Sequence, residues 1–486
     1  MPILAVYDLT GNKIGLKSTG KSGGEGAIYE IIGSNNGTNS RCAKIYHPQK
    51  ITAELHQKIL SMVNNPPDDP SPNARHRSIG WPEDVLYSDS ARRLFVGYTM
   101  PLIDTKVFKE THKYFDPSDR LKAFGGSFTW QHLFTAAFNI ASAVAALHEK
   151  GHRIGDLRET NILVSPSALV AIIDCDSFQV KDSASDITYY TRVGSGEYLP
   201  PELMGADFKT NDHDRYHSDL FALAIIIFKF LANGVHPYQA RGPLVDDAPS
   251  PEEKIKKGYF PYTTDARGIE PPSYALPYNI IPPSIRVLFY RCFVEGHAYP
   301  LRRPAAIEWF NTLKAEGVKL KQCSKNENHW YGNHLSDCPW CNAVMRLGKD
   351  YFPKPFLAGQ QIELIAAKHV SQLPQRVPLV QAQPQMHMPT TGIARTAQQT
   401  YVQPRAARKR VRNRFLASKM DGCLAQLFGG ILVLYAGYML SKSGIYVYSQ
   451  FDQAVDNYQP FLLQVGIYAA VLIVGIHIIH CGIDDW

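Results

Sequence analysis

Cysteine is scarce in this chain, with eight in 486 residues. That excludes a small secreted scaffold stapled by disulfides. The first ten residues lack the basic-then-apolar pattern of a secretory leader and read as a strand. Both observations imply a reducing cytosolic compartment for the main part of the chain. Internal repeats are absent. A marked excess of one charge is absent too: 51 Lys and Arg stand against 44 Asp and Glu, a net of +7 that is unevenly spread. That gives no nucleic-acid signature, and no nucleic-acid partner is expected. With 45% hydrophobic residues, the length suffices for two or three globular domains.

The most informative stretch is His152-Arg153-Ile154-Gly155-Asp156-Leu157-Arg158-Glu159-Thr160-Asn161, followed by Ile172-Ile173-Asp174-Cys175-Asp176. An acid and an amide five residues apart lie in a turn after a helix, and a second acid ends an apolar strand thirteen residues later. Such a set suits phosphoryl transfer: one carboxylate takes the proton of an attacking hydroxyl, while the amide and the other carboxylate hold a divalent cation. Ordinary turn residues would give the same letters. The spacing resembles the catalytic loop and metal-binding Asp of the protein kinase family. The resemblance implies Asp156 as base, Arg158 as a cation beside the transferred phosphate, and Asn161 and Asp174 as ligands of Mg²⁺ or Mn²⁺.

Flanking features stand in the order that this resemblance requires. Lys21-Ser22-Gly23-Gly24-Glu25-Gly26-Ala27-Ile28 is a glycine turn running into a strand. It is similar to the kinase glycine-rich loop, with Gly23, Gly24, Gly26 and Ile28 at the nucleotide and Lys21 in place of the first glycine; a plain glycine hairpin remains the alternative. Lys44 lies within the apolar strand Cys42-Ala43-Lys44-Ile45-Tyr46, sixteen residues past Ile28. A lysine there is costly unless it meets an anion, and the resemblance makes it the grip on the nucleotide phosphates. A helix expected from about Thr52 to Met62 carries Glu54 in its first turn, the candidate partner of Lys44; a solvated helix-start acid is the alternative. Residues 95–102 form the expected hinge, with backbone near Met100 for adenine.

Beyond the loop, Val193 to Glu202 resembles the end of an activation segment, with Arg303 as the expected bidentate partner of Glu202. Asp219, opening an apolar helix, is expected to bond the catalytic-loop backbone. Two departures stand out. Ile154-Gly155, not His-Arg, precede Asp156, which makes control by a phosphorylated activation loop less expected. Asp174 is followed by Cys175-Asp176-Ser177-Phe178-Gln179, not by Phe-Gly. The Asp-x-Asp-Ser-Phe-Gln string resembles a divergent bacterial branch of Ser/Thr kinase-like proteins. That resemblance implies a metal-dependent protein phosphatase as a partner.

Cys323, His329, Cys338 and Cys341 have the spacing of a structural zinc site, with His334 as the reserve fourth ligand and a redox dithiol at Cys338/Cys341 as the alternative. Further on, 351–404 is rich in Gln, Pro and Thr and reads as a disordered linker. Residues 405–420 open with Arg405-Ala406-Ala407-Arg408-Lys409-Arg410-Val411-Arg412-Asn413-Arg414, without an acid, as a juxtamembrane segment touching anionic lipid would. Two uncharged runs, about 422–440 and 460–481, have membrane-spanning length and predict a helical hairpin in 421–486; buried core helices are the alternative.

The whole predicts an α+β, two-lobed protein kinase-like fold (N-terminal lobe 1–104, C-terminal lobe 105–318), a zinc-binding module (319–350), and a C-terminal transmembrane hairpin. The expected protein is a bacterial kinase on the cytoplasmic membrane, its kinase-like domain in the cytosol, moving the γ-phosphate of ATP to Ser/Thr hydroxyls of protein substrates the sequence does not name. The rivals are a membrane-tethered pseudokinase scaffold and a kinase-fold enzyme of nucleotidyl or small-molecule transfer.

Overall fold

The computed structural model describes residues 4–33, 40–71, 76–263 and 268–355. The expected disordered linker begins too early: Tyr351 and Phe352 are buried in the core, because the Phe352 ring packs on Trp340 and the Tyr351 carbonyl accepts from Arg120. Residues 356–404, the basic run and both apolar runs predicted to span a membrane lie outside the described residues. Among the described residues no helix is long and apolar enough to cross a membrane.

Six strands close into a small barrel in the order β1-β2-β3-β4-β6-β5: β1 (Leu4–Tyr7), β2 (Lys13–Ser22), β3 (Gly26–Ile31), β4 (Arg41–Tyr46), β5 (Asp84–Tyr87) and β6 (Phe95–Pro101). Leu16, Ala43 and Leu86 are fully buried inside it. Between β4 and β5 lies helix α1 (Ala53–Asn64). Thr52 caps it by accepting a hydrogen bond from the Leu55 amide at 3.0 Å. Its Ile59 and Met62, one helical turn apart, are buried in the main core.

The second lobe is built on two helices. Helix α2 (Trp130–Glu149) starts in a reciprocal cap between Thr129 and His132. Its alanines at 136, 137, 141 and 143 are fully buried, so neighbouring helices approach closely. Helix α3 (Tyr216–Leu231) is buried over nearly its whole length, as a helix apolar on all sides must be. Helix α4 (Ala306–Gly317) packs along α2. A short sheet, β7 (Lys109–Glu110), β8 (Ile162–Val164) and β9 (Val170–Ile172), holds the catalytic-loop region. The hairpin β8–β9 pairs Ile162 with Ile172, which sets Asn161 and Ile173 side by side, with the Ile173 amide donating to the Asn161 carbonyl at 3.0 Å.

A last unit, β10 (Leu320–Gln322), β11 (Trp330–Gly332) and α5 (Pro339–Leu347), packs on α2. Trp340, fully buried, lies 5.7 Å from Trp130, ring centre to ring centre. Asn328 donates to the carbonyls of Gly126 at 2.9 Å and Pro353 at 2.6 Å.

Candidate active site and metal cluster

The turn before Asp156 is fixed from α3. The carboxylate of Asp219, 1% exposed, accepts from the amides of Ile154 and Gly155, each at 2.7 Å, and faces His148 Nε2 at 3.0 Å. Arg215 of the preceding turn donates to the Gly155 carbonyl. Gly155 has φ +76°, and a Cβ there would overlap the methyl of Thr191. The arginine that kinases carry before the base is therefore excluded here by backbone conformation as well as by space.

Asp156 is buried. Its Oδ2 pairs with Arg158 Nε at 3.1 Å, while Oδ1 has no hydrogen-bond partner. An orphaned buried carboxylate oxygen calls for a donor, and an incoming hydroxyl supplies one. Asn161 donates to the Asp156 carbonyl at 3.0 Å, tying the amide to the base. Asp174 sits at φ +63° with its side chain 48% exposed. Asn161 and Asp174 line one cleft of about 1650 Å³ together with Gly23, Gly24, Gly26, Ile28, Lys44 and Met100.

The cleft glycines are not equivalent. A Cβ on Gly26 would overlap the Ile45 carbonyl, so this glycine serves the contact of β3 with β4. Gly24 has open space and leaves room for backbone to approach a ligand.

Lys44 is buried and meets three carboxylates: Asp176 at 2.6 Å, Asp174 at 3.3 Å and Glu25 at 3.4 Å. Burial works against its charge, but Asp176 and Asp174 outweigh burial and raise its pKa. The expected partner, Glu54, is not among them. It is exposed in the first turn of α1, and the face of that helix turned inward carries Lys58 one turn later. Burial pulls Lys58 down to about 8, with the Asp176 charge opposing. Asp176 itself is held below the usual carboxylate range: burial opposes its charge, while Lys44 and the Tyr46 hydroxyl favour it. Asp174 is pushed the other way, by burial against Lys44 and with the Asp176 charge beside it.

Tyr46, Lys58 and Glu25 are the site residues that sequence reasoning missed; for Asp176 the sequence left open whether it adds a carboxylate near the metal or points away, and the structure turns it onto Lys44. Tyr46 had a signal, because it lies two residues from Lys44 and hence on the same strand face.

Glu202 and Arg303 form the expected bidentate pair at 2.6 and 2.8 Å, with the Arg303 side chain fully buried. Behind them, Lys229 bonds Glu159 and the Tyr198 hydroxyl, joining α3 to the catalytic loop and the activation-segment end.

Cys323, His329, Cys338 and Cys341 converge, their ligand atoms all within 4.8 Å of one another. The Sγ atoms of Cys323 and Cys341 are 3.6 Å apart, and His329 Nδ1 is 3.5 Å from both Cys338 and Cys341. A tetrahedron with zinc–sulfur arms of about 2.3 Å has edges of about 3.8 Å, so the four donors fit that ion. The far nitrogen of His329 faces Asp350 Oδ1 at 2.9 Å, as orienting carboxylates do behind metal-bound histidines. His334 is outside the cluster; its ring bonds the Asn279 carbonyl at 3.0 Å.

A six-stranded lobe over a helical lobe, with Lys44, Asn161 and Asp174 lining one cleft and Asp156 tied to Asn161, defines a protein kinase-like fold. The sequence profile of the protein kinase domain matches residues 110–255. Protein kinase YegI of Escherichia coli O157:H7 is 32% identical over 333 residues, 68% of this chain and 49% of that protein. YegI of strain K12 is 31% identical over 352 residues, 72% of this chain and 51% of that protein. Serine/threonine-protein kinase PknD of Mycobacterium tuberculosis (strain CDC 1551 / Oshkosh) is 32% identical over 136 residues, 26% of this chain and 19% of that protein. The chain belongs to the protein kinase-like superfamily, within its bacterial Ser/Thr kinase-like branch. It spans about half the length of the YegI proteins it matches.

Proposed function

We propose that this protein is a membrane-anchored kinase that transfers the γ-phosphate of ATP to Ser/Thr hydroxyls of cytosolic proteins. The observation that carries this reading is the buried, partnerless Oδ1 of Asp156, beside Arg158 and in the turn whose Asn161 lines a cleft with Asp174 and Lys44. Bound ATP with Mg²⁺ or Mn²⁺ would supply the phosphoryl group and part of the charge neutralisation. Asn161 and Asp174 are the residues to hold the ion, and Lys44 the cation for the phosphates. Asp156 Oδ1 orients the acceptor hydroxyl and takes its proton, and Arg158 stands ready for the transferred group.

Membrane anchoring rests on the two uncharged runs at 422–440 and 460–481 and on the acid-free basic run before them, which would touch anionic lipid. Zinc in the Cys323/His329/Cys338/Cys341 cluster would be structural: all four positions are filled by side chains, which leaves no place for a reactive water. A metal-dependent protein phosphatase is the partner class that the branch resemblance implies.

The test is the full-length chain in lipid nanodiscs with labelled ATP, Mg²⁺ or Mn²⁺ and a generic acceptor protein, beside Asp174→Ala. Label passing from the γ position to Ser/Thr, and lost in the variant, supports the proposal. Label passing only from the α position means nucleotidyl transfer. No transfer with either metal from a folded chain means a pseudokinase scaffold.

A further inference from the structure

The acid that fixes the phosphate-gripping lysine is in an unexpected place. Both oxygens of Asp176 are engaged: Oδ1 accepts from Lys44 at 2.9 Å, and Oδ2 accepts from Lys44 at 2.6 Å and from the Tyr46 hydroxyl at 2.7 Å. The side chain is 1% exposed, and among the described residues that line the cleft Asp176 is absent. It therefore does not share the role of Asp174, which lines the cleft and is half exposed. Lys44 and Tyr46 lie on one face of β4 in the first lobe, whereas Asp176 belongs to the turn after β9 in the second. Helix α1 turns the buried Lys58 inward and leaves Glu54 in solvent.

We propose that Asp176 is the positioning residue for Lys44, replacing a helix-borne glutamate with an acid from the same turn that carries Asp174. Two consequences follow from the geometry. The contact crosses between the lobes, so bringing them together and setting Lys44 are one event. Helix α1 supplies no acid to Lys44, so a swing of that helix does not make or break the ion pair, as it would if Glu54 held the lysine. A divalent cation at Asp174 and the lysine grip are then tied to one three-residue turn. This deepens the kinase reading, and its catalytic arm rests on that reading.

The experiment reads Lys44 directly in the full-length chain. Acetic anhydride acylates neutral, accessible amines, and mass spectrometry gives the rate at each lysine. Lys229, buried in the second lobe, reports that the fold is kept. Asp176→Asn preserves size and removes charge; we expect it to raise Lys44 labelling about 10- to 100-fold, the worth of a charged hydrogen-bonded pair, with Lys229 unchanged. Tyr46→Phe keeps the packed ring and loses only the hydroxyl on Asp176, so it raises Lys44 labelling less, and it serves if Asp176→Asn does not fold. Glu54→Gln leaves Lys44 at the wild-type rate. In parallel, kcat for γ-phosphate transfer falls in Asp176→Asn in proportion to the labelling, and Glu54→Gln stays within about twofold. Wild-type labelling of Lys44 in both Asp176→Asn and Tyr46→Phe, or exposure of Lys44 by Glu54→Gln, overturns the proposal. A chain that transfers no phosphate refutes the kinase reading, while the labelling still decides the role of Asp176.

Discussion

Removal of Asp219 should unsettle the catalytic turn more than its distance from the cleft suggests. Its carboxylate is the acceptor for two adjacent backbone amides, Ile154 and Gly155, in a position closed to water. Hydrogen bonds to a charged group contribute about 1.5–3 kcal/mol each, so Asp219→Ala costs about 3–6 kcal/mol from these two bonds. Asp219→Asn is the sharper variant. It keeps the volume, but it has one oxygen for two amides, and its NH₂ must face an N–H that also donates. At roughly 2 °C per kcal/mol for a domain of this size, both variants should melt about 6–12 °C below wild type by calorimetry. The turn they release is the one that aims Asp156, and a small misplacement of a catalytic group costs about 100-fold in rate. The same samples should therefore lose that much in kcat for γ-phosphate transfer, with KM for ATP little changed because Lys44 and the glycine loop are untouched. Melting within 2 °C of wild type for Asp219→Asn would show that the two amides have other acceptors and would refute the reasoning.

Burial holds His132 down at about 4 and His236 at about 3, so both are neutral in the folded protein where the unfolded chain is protonated. The unfolded state then binds more protons below pH 6.5, and stability falls as pH falls through that window: about 3 kcal/mol between pH 6.5 and 5 for the two together, read as a falling urea midpoint whose slope about halves when His236 is replaced by Gln. Stripping metal with a strong chelator, or Cys338→Ser, should lower the melting temperature through the cluster that packs on Trp130, and the two effects should not add. Asp350→Ala should weaken zinc binding about 10- to 100-fold in a chelator competition. Gly155→Ala places a Cβ at φ +76° against Thr191, at a backbone cost of about 1–2 kcal/mol before the overlap is counted, and should slow transfer while leaving ATP affinity intact.

Much of the fold was legible because local and long-range signals agreed. The apolar run 219–228 could only be a core helix, and it is buried from Ser218 to Leu231. The Ala-rich amphipathic run from Trp130 to Lys150 reads as one helix, and the structure forms it from Trp130 to Glu149. The Asp219 contact and the Glu202–Arg303 pair were legible through the kinase resemblance, which implies a partner for each of these buried acids. Less legible was what the glycines do. Gly26 reads as a phosphate-loop residue in sequence, yet its missing Cβ makes room for the Ile45 carbonyl, a fact of strand pairing that no spacing reveals.

The placement of the acid on Lys44 was hidden for a reason that is physical rather than accidental. Sequence order offered Glu54, because it opens the first helix after the lysine strand. Position along the helix decides against it: Glu54 lies one turn before Lys58 on the same side of α1, but in the capped first turn, where it stays in solvent, while Lys58, Ile59 and Met62 further on are buried. A cation pointed at a buried lysine would be repulsive without an anion between them. Asp176 is that anion, and its burial is tolerable only because Lys44, Lys58 and Tyr46 surround it. Asp176, at the place of the glycine that ordinarily closes the kinase metal-binding turn, thus meets Lys44 where Glu54 does not reach it. On this reasoning Lys58 and Asp176 should tolerate loss of charge better together than singly. The double variant Lys58→Met/Asp176→Asn should recover part of the stability that Asp176→Asn loses, measured as a double-mutant cycle in urea. Strict additivity of the two changes would mean that Lys58 and Asp176 do not share a field, and the account of α1 would fall with it.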